Sequence, residues 1–323
     1  MQTNAKPRIV LVGAGSMGAL HARVVAQSNR LDLVRVVDPR REVGEQVADR
    51  FGASWTPELG DLADADAVIV AAATGVHFDL ARAVLGAGKP LLVEKPICGD
   101  YAETEAVLAL AEQKQLPIMC GFLERFNPAI LTIAPMVREP VHIAAVRHSP
   151  YVPRIRTGVA WDLLIHDVDA CLRLTDGQPA SVRGGLGFFH PGSMDGAEDV
   201  AEAVMSFPSG AIATASASRI GQRKVRTLTV AEMDRTIEVD LLRRDVTVYR
   251  HVSNDVELPD GRGYRQQTVM EIPELVSARE PLAGQLDHFL GLLDGTVDIK
   301  EERDSIRPAH WVVAQLFPQP AAG

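Results

Sequence analysis

Arg8-Ile9-Val10-Leu11-Val12-Gly13-Ala14-Gly15-Ser16-Met17-Gly18 is the stretch that decides the fold. An apolar run of strand length passes directly into G-x-G-x-x-G, and a helical pattern follows from Ser16 to Gln27. Gly13 permits a tight turn out of the strand, Gly15 lets backbone approach a pyrophosphate, and Gly18 lets helix and sheet pack closely. The amides of this turn, from Ala14 through Ser16 and Met17, would face phosphates together with the positive end of the helix dipole. A second apolar run, Leu33–Val37, ends at Asp38, twenty residues beyond Gly18. A carboxylate there accepts hydrogen bonds from ribose hydroxyls and repels a 2′-phosphate, which points to NAD. Arg40 and Arg41 follow, and an arginine at this place can bind a 2′-phosphate, so NADP stays open.

Working outward, short apolar runs continue at 67–71, 91–93 and 118–120, separated by helical stretches at 41–50, 77–85 and 101–115. This alternation predicts a doubly wound parallel sheet over residues 1–121. The rhythm then changes. A short helix is expected over 127–136, a strand over 141–147 and one helix over 161–174, closed by Asp176-Gly177. Six strand-like runs follow between 180 and 251 without intervening helices, which predicts a large, mainly antiparallel sheet. Helices are expected at 282–293 and 303–316, with a loose tail from Pro318. The reading is an α/β dinucleotide-binding domain over 1–121 and an α+β domain over 122–323 for substrate binding and oligomerisation.

Composition narrows the classes. With 46% hydrophobic and 23% charged residues, the chain is of ordinary globular type. A net charge of −9 without a basic run gives no electrostatic footprint for nucleic acid or an anionic membrane. Three scattered cysteines, Cys98, Cys120 and Cys171, form neither a disulfide framework nor a zinc set, so no metal is expected. The segment 1–6 is polar and has no signal-peptide pattern, and the longest apolar stretch, 67–73, is far short of a membrane span. A cytoplasmic location is expected.

Two groups of residues can carry chemistry. Lysine is rare, with six against 27 arginines, and Lys95 follows the strand Leu91–Val93. Ligands of parallel sheets bind beyond the carboxyl ends of strands; the alternative is a surface lysine paired with Glu94. In Trp161-Asp162-Leu163-Leu164-Ile165-His166, Asp162 and His166 are four apart and share a helix face. A carboxylate beside an imidazole tunes a proton-transfer pair; the alternative is an acid at a helix start beside a buried histidine. Other dehydrogenase classes fail: none of the four tyrosines begins Tyr-x-x-x-Lys, and the cysteines supply no zinc site.

The nucleotide-binding start, Glu94-Lys95-Pro96 and Asp162-x-x-x-His166 together resemble the glucose–fructose oxidoreductase / inositol dehydrogenase / rhizopine catabolism (Gfo/Idh/MocA) family over nearly the whole chain. Ala73-Thr74-Gly75-Val76-His77 is similar to its loop beside the nicotinamide ribose, Gly121 through Pro128 to its entry into the second domain, and Pro281 through Phe289 to its late helix. Leu164 departs from the pattern, standing where glycine is common. The resemblance implies an NAD(P)-dependent oxidoreductase acting on a sugar, nucleotide sugar or cyclitol. It places Ala73, Thr74, His77, Glu94 and Lys95 on the cofactor and Lys95, Asp162 and His166 at the reacting hydroxyl. Arg125, Tyr151 and Trp161 join Lys95 and His166 as substrate contacts; Trp161 is otherwise a core aromatic. The Pro-rich loop from Pro150 to Gly158, with Arg154 and Arg156, is a lid or a plain surface connection.

The run Glu124-Arg125-Phe126-Asn127-Pro128 resembles members that oxidise the 3-hydroxyl of nucleotide-linked sugars before transamination, as in amino-sugar or aminoglycoside pathways. The alternatives are an inositol or other cyclitol dehydrogenase, an NAD-dependent glycosidase, and a non-catalytic NAD-binding sensor. The family's habit of covering its sheet with a second subunit implies a homodimer or homotetramer.

Overall fold

The computed structural model describes residues 6–318 except 154, 155, 176, 195, 259 and 260, with the side chains of 254–265 also left aside. Arg154, Asp176 and the tail beyond 318 therefore lie outside the described residues. The chain resolves into two compact units, Met1–Leu123 with Glu280–Ala314, and Glu124–Arg279 with Gln315–Gly323.

The first unit begins with β1 (Arg8–Val12), α1 (Ser16–Gln27), β2 (Asp32–Val37), α2 (Arg41–Phe51), β3 (Ser54–Thr56), β4 (Ala67–Val70), α3 (His77–Gly86), β5 (Leu91–Val93), α4 (Tyr101–Gln113) and β6 (Ile118–Cys120). All six strands are parallel, in the order β3-β2-β1-β4-β5-β6. β4, β5 and β6 are buried at every residue, as strands covered on both faces must be. β3 escapes the sequence reading because three edge residues are too few for a period.

In the second unit, a tight turn at Leu123–Phe126 leads to α5 (Pro128–Ile133), whose first turn is capped by the Asn127 side chain on Ala129 N. β7 (His142–His148) follows, then a wide π-type turn at Ala160–Leu164 that runs into α6 (Ile165–Thr175). The expected single helix over 161–174 thus starts with a widened turn. Seven more strands complete an eight-stranded sheet: β8 (Ser181–Gly187), β9 (Val200–Ser206), β10 (Ile212–Ser218), β11 (Val225–Ala231), β12 (Thr236–Asp240), β13 (Asp245–Leu258) and β14 (Gly261–Glu271). The order is β14-β13-β12-β11-β7-β10-β9-β8, antiparallel except for β7 beside β10. One face is built from small or branched residues such as Ala203, Ala215, Ala145, Val230 and Val239, all buried, and α6 packs on it at β7 and β10. β14 lies beyond the last expected strand and is formed by its backbone ladder to β13.

The chain closes with α7 (Pro281–Asp294), α8 (Ile299–Asp304) and α9 (Arg307–Ala314). The expected helix over 303–316 is two helices, because Pro308 has no amide to continue the α8 ladder. The domain expectation also needs correction here. These helices belong to the first unit, not to the second domain: α7 packs on α1, α9 on α4 and α8 on β6. Leu286, Phe289 and Val312 are buried in that packing.

A buried ionic group joins α6 to the sheet of the second unit. Arg147 on β7 reaches Asp167 through two hydrogen bonds of 2.6 and 3.0 Å and Glu124 at 3.0 Å. Burial works against the Arg147 charge, but the two carboxylates more than offset it and hold the guanidinium above its ordinary value. Removing one partner of such a group strands a buried charge and costs about 3–5 kcal/mol. Arg147→Met should therefore lower unfolding free energy by about that amount in urea titration, and Arg147→Met with Asp167→Leu should recover part of it. A loss below about 1 kcal/mol for the single change, the range of a solvent-exposed pair, would show that this group does not hold the helix.

Candidate active site

Parallel register sets the floor of the site in the first unit. Val37, Val12, Val70, Val93 and Cys120 are neighbours across β2, β1, β4, β5 and β6. The next residues in each strand, Asp38, Gly13, Ala71, Glu94 and Gly121, therefore line up just beyond the carboxyl ends of the sheet, where ligands of this topology bind.

The glycine turn has the shape its sequence requires. Gly13 has φ +95°, and a Cβ on it would lie 2.6 Å from the Ala71 carbonyl oxygen. A Cβ on Gly18 would lie 1.8 Å from the Gly13 carbonyl oxygen. Gly15 faces open space, and α1 starts there with no side-chain cap. Ala14 is buried and donates its amide to Asp38 Oδ2 at 2.8 Å, while Ser16 is exposed and Met17 half-buried. The Asp38 carboxylate also accepts from the Arg40 amide at 2.9 Å and from its side chain at 3.0 and 2.8 Å. Burial raises the Asp38 pKa, but Arg40 and the two amides outweigh it and hold the carboxyl below its usual range. Asp38 is thus a fixed anion, and the exposed Arg40 is tied to it.

Ala73 and Thr74 lie at the surface just after β4. His77 behind them is 1% exposed, and its ring faces two carbonyls, Pro96 O at 2.8 Å and Ala72 O at 3.1 Å. Its polar edge ties loops together and does not point to open space. Glu94 is likewise turned inward, with Oε1 2.7 Å from His21 Nε2 and Oε2 3.3 Å from the Lys95 amide. Lys95 is half-buried at the end of β5.

In the second unit, Asp162 lies in the wide turn and His166 at the start of α6, both partly exposed. Four residues is close to one turn, so they share a side. The turn starts under Glu198, whose Oε1 accepts the Ala160 amide at 2.7 Å. Gly158 admits that carboxylate, since a Cβ would lie 2.0 Å from it. Arg219 ties the same corner through the Thr157 and Glu198 carbonyls. Trp161 is 8% exposed and stacks on Phe317 at 6.1 Å, which is the core placement. Arg125 is buried and forked onto Asp169 at 2.9 and 2.6 Å, so it braces α6. Tyr151 stacks on His190 at 3.5 Å and gives its hydroxyl to the Gly192 carbonyl; Arg156 is exposed nearby in sequence. Among the described residues, no group of three or more His, Cys, Asp or Glu is arranged to hold a metal ion.

The structure adds groups that sequence reading missed. Arg226 on β11 pairs in register with Arg147 and places Nη1 3.5 Å from Glu124 Oε1. Burial and the Arg147 charge push its guanidinium down, while Glu124, Asp167 and Asp162 act the other way. Asp162 is thus near enough to feel this charge. No local motif marks Arg226, Glu198 or Arg219, because strand pairing and chain crossing bring them to the helix.

Residues 7–122 match the model of an oxidoreductase family with an NAD-binding Rossmann fold, and residues 139–239 match the C-terminal domain of the same Gfo/Idh/MocA family. The chain belongs to the Gfo/Idh/MocA family. A UDP-N-acetylglucosamine 3-dehydrogenase of Acidithiobacillus ferrooxidans is 29% identical over 289 residues, 88% of either chain. Its solved structure superposes with a TM-score of 0.83 over 97% of both chains. An inositol 2-dehydrogenase of Rhizobium meliloti is 24% identical over 306 residues, 90% of either chain. GenD2 from gentamicin A biosynthesis, solved in complex with NAD, shares the fold with a TM-score of 0.80 at 22% identity, covering 97% of this chain and 93% of that one. NAD is the cofactor of the Gfo/Idh/MocA first domain, and this chain fits it: Gly15 leaves room before an uncapped helix start, and Asp38 is an ionised carboxylate at the end of β2.

Burial raises the Glu198 pKa above its ordinary value, against the Ala160 amide, which lowers it. The folded state then holds this proton more tightly than the unfolded chain, so stability falls as pH rises from the ordinary glutamate range through the raised value. Glu198→Gln keeps an acceptor for Ala160 and removes that dependence. Its melting temperature relative to the parent should rise between pH 4.5 and pH 8, with 4.5 being the ordinary value. A difference that stays flat or shrinks with pH would show that Glu198 is not held protonated by burial.

Proposed function

We propose that this protein oxidises a secondary hydroxyl of a sugar or cyclitol to a ketone, with NAD as hydride acceptor. The reading is carried by the row of strand ends, with the Asp38 anion after β2 and Glu94-Lys95 after β5. It is supported by full-length relatives named as dehydrogenases of UDP-N-acetylglucosamine and inositol. Gly13, Ala14, Gly15, Ser16, Met17, Gly18 and Asp38 would hold the pyrophosphate and adenosine ribose, and Ala73 and Thr74 would border the nicotinamide ribose. The nicotinamide, when bound, supplies the hydride acceptor.

The chain's own residues handle the proton. His166 takes it from the reacting hydroxyl as general base. Lys95 hydrogen-bonds the same oxygen and favours its developing negative charge. Asp162, beside His166 on the helix, orients the imidazole and stabilises its charged form. Arg125 and Trp161, braced within the second unit, act on substrate through the helix they support.

We assign the substrate class to nucleotide-linked sugars oxidised at the 3-hydroxyl. This assignment is favoured by the Glu124–Pro128 run and the 29% identical relative. Free cyclitols are the second reading, favoured by the inositol dehydrogenase of similar coverage. NADH formation at 340 nm should be seen with UDP-N-acetylglucosamine and be much weaker with myo-inositol; the reverse selects the second reading. On the accepted substrate, Lys95→Ala and His166→Ala should each lower kcat by on the order of 10²-fold or more. Near-native turnover in both variants would remove the proposed chemistry.

We also infer a homodimer formed through the outer face of the eight-stranded sheet. Val204 and Ile212 there are 41% and 44% exposed among residues of mixed polarity. Sedimentation at micromolar concentration should give a dimer or a multiple of it, and a monomer would count against this face. A cytoplasmic, reducing compartment is favoured by three buried thiols without a disulfide, of which Cys98 is pushed up by burial to about 12. No described helix is long and apolar enough to cross a membrane.

A further inference from the structure

Lys95 sits on a segment in which Glu94, Pro96 and Ile97 are each held by a histidine from elsewhere in the first unit. Glu94 is paired through Oε1 with His21 Nε2 at 2.7 Å, and its Oε2 accepts the Lys95 amide at 3.3 Å. Pro96 gives its carbonyl to His77 Nδ1 at 2.8 Å. Ile97 donates its amide to His310 Nε2 at 3.0 Å. Because Nε2 of His310 must accept there, its ring hydrogen is on Nδ1, which donates to the Ile306 carbonyl at 2.9 Å. Three of the chain's nine histidines therefore enclose one turn. All three are at most 3% exposed.

The Glu94 carboxylate is fixed with little freedom. It is 7% exposed, and Gly121 of the neighbouring strand end presses on it so closely that a Cβ would lie 2.7 Å from Oε2 and 2.9 Å from the Glu94 Cα. His21 lies on α1, one turn beyond the glycine turn. The His21–Glu94 pair thus links the phosphate-facing helix to the backbone of Lys95. A buried acid–imidazole pair is a weak source of stability, because desolvation offsets the attraction. Its geometric effect is the stronger one: the carboxylate fixes the direction in which the Lys95 peptide leaves the sheet.

We propose that His21 is a positioning residue for Lys95, acting through the Glu94 carboxylate, with His77 and His310 fixing the two residues that follow. Glu94 on this view serves Lys95 and not the cofactor. The proposal rests on the reading that Lys95 touches the reacting hydroxyl. Misplacing such a group by about 1 Å can lower turnover on the order of 10²-fold without loss of binding.

The test compares His21→Leu, His21→Gln and the double variant His21→Leu/Glu94→Gln, which leaves no stranded carboxylate should the first fail to fold. Gln offers an amide N–H near the place of Nε2. With UDP-N-acetylglucosamine or myo-inositol, whichever the parent oxidises, the Leu variants should lose roughly 10–100-fold in kcat. KM for NAD should stay within about twofold, because the glycine turn is untouched, and His21→Gln should regain most of the kcat. A second readout needs no turnover. In the protein without added cofactor, amide exchange of the Lys95 and Ile97 N–H groups should quicken by roughly tenfold or more in the Leu variants and return in His21→Gln. Unchanged kcat and exchange in a folded Leu variant would overturn the proposal, as would a loss confined to KM for NAD or a failure of Gln to rescue. Lys95→Ala run in parallel separates the two readings. If it is inactive while His21→Leu is unaffected, only the positioning role falls; if it keeps near-native turnover, the role assigned to Lys95 falls and this one with it.

Discussion

At Gly13 and Gly18, where β1 meets α1, there is no space for a side chain, and the start of the first unit is built around that fact. Gly13 lies against the backbone of Ala71, and Gly18 lies against the carbonyl of Gly13 itself. Any larger residue would separate helix from sheet by more than the packing allows. Because the turn is that tight, α1 starts directly over the strand ends and carries His21 down to Glu94. The same closeness gives Asp38 its contact with the Ala14 amide. One steric limit thus brings the glycine turn, Asp38 and the segment of Lys95 into a single layer.

The second unit is organised by charge in place of glycine. α6 is held by Arg147 on Asp167 and by Arg125 on Asp169, two forked pairs spaced two residues apart on one helix. Its start is held by Glu198, Gly158 and Arg219. The side of α6 facing the sheet is therefore fixed by ions, leaving Asp162 and His166 partly exposed on the remainder. A helix gripped in this way cannot rotate by one residue without stranding a buried carboxylate, so these ion pairs help to set the direction of His166.

Much of this was legible in the residues themselves. The Rossmann order, the glycine turn, Asp38 and the strand before Lys95 are local patterns with a fixed period, and they were read within a residue or two. The long helix of the second unit and most of its strands were also readable, because hydrophobic alternation marks them. What escaped depends on tertiary context. His21 looks like any polar residue on a helix, and only the register of β5 and β6 turns Glu94 towards it. Trp161 and Arg125 are expected as substrate contacts, and their partners Phe317 and Asp169 lie too far away in sequence to be read from it. The last expected strand ends at 251, while β13 runs on to Leu258 and β14 follows, because backbone pairing between them overrides weak propensity.

The late helices change how the chain must be assembled in time. Residues 280–314 complete the first unit, so the part of the protein that leaves the ribosome first is finished last. At synthesis rates of roughly 5–20 residues per second, the parallel sheet waits many seconds with the surfaces meant for α7 and α9 uncovered. His310 reaches Ile97 only then. Nascent chains halted before the final helices would hold a nucleotide turn but an unfinished lysine segment, so the ability to bind dinucleotide would arise earlier in biogenesis than the ability to turn over.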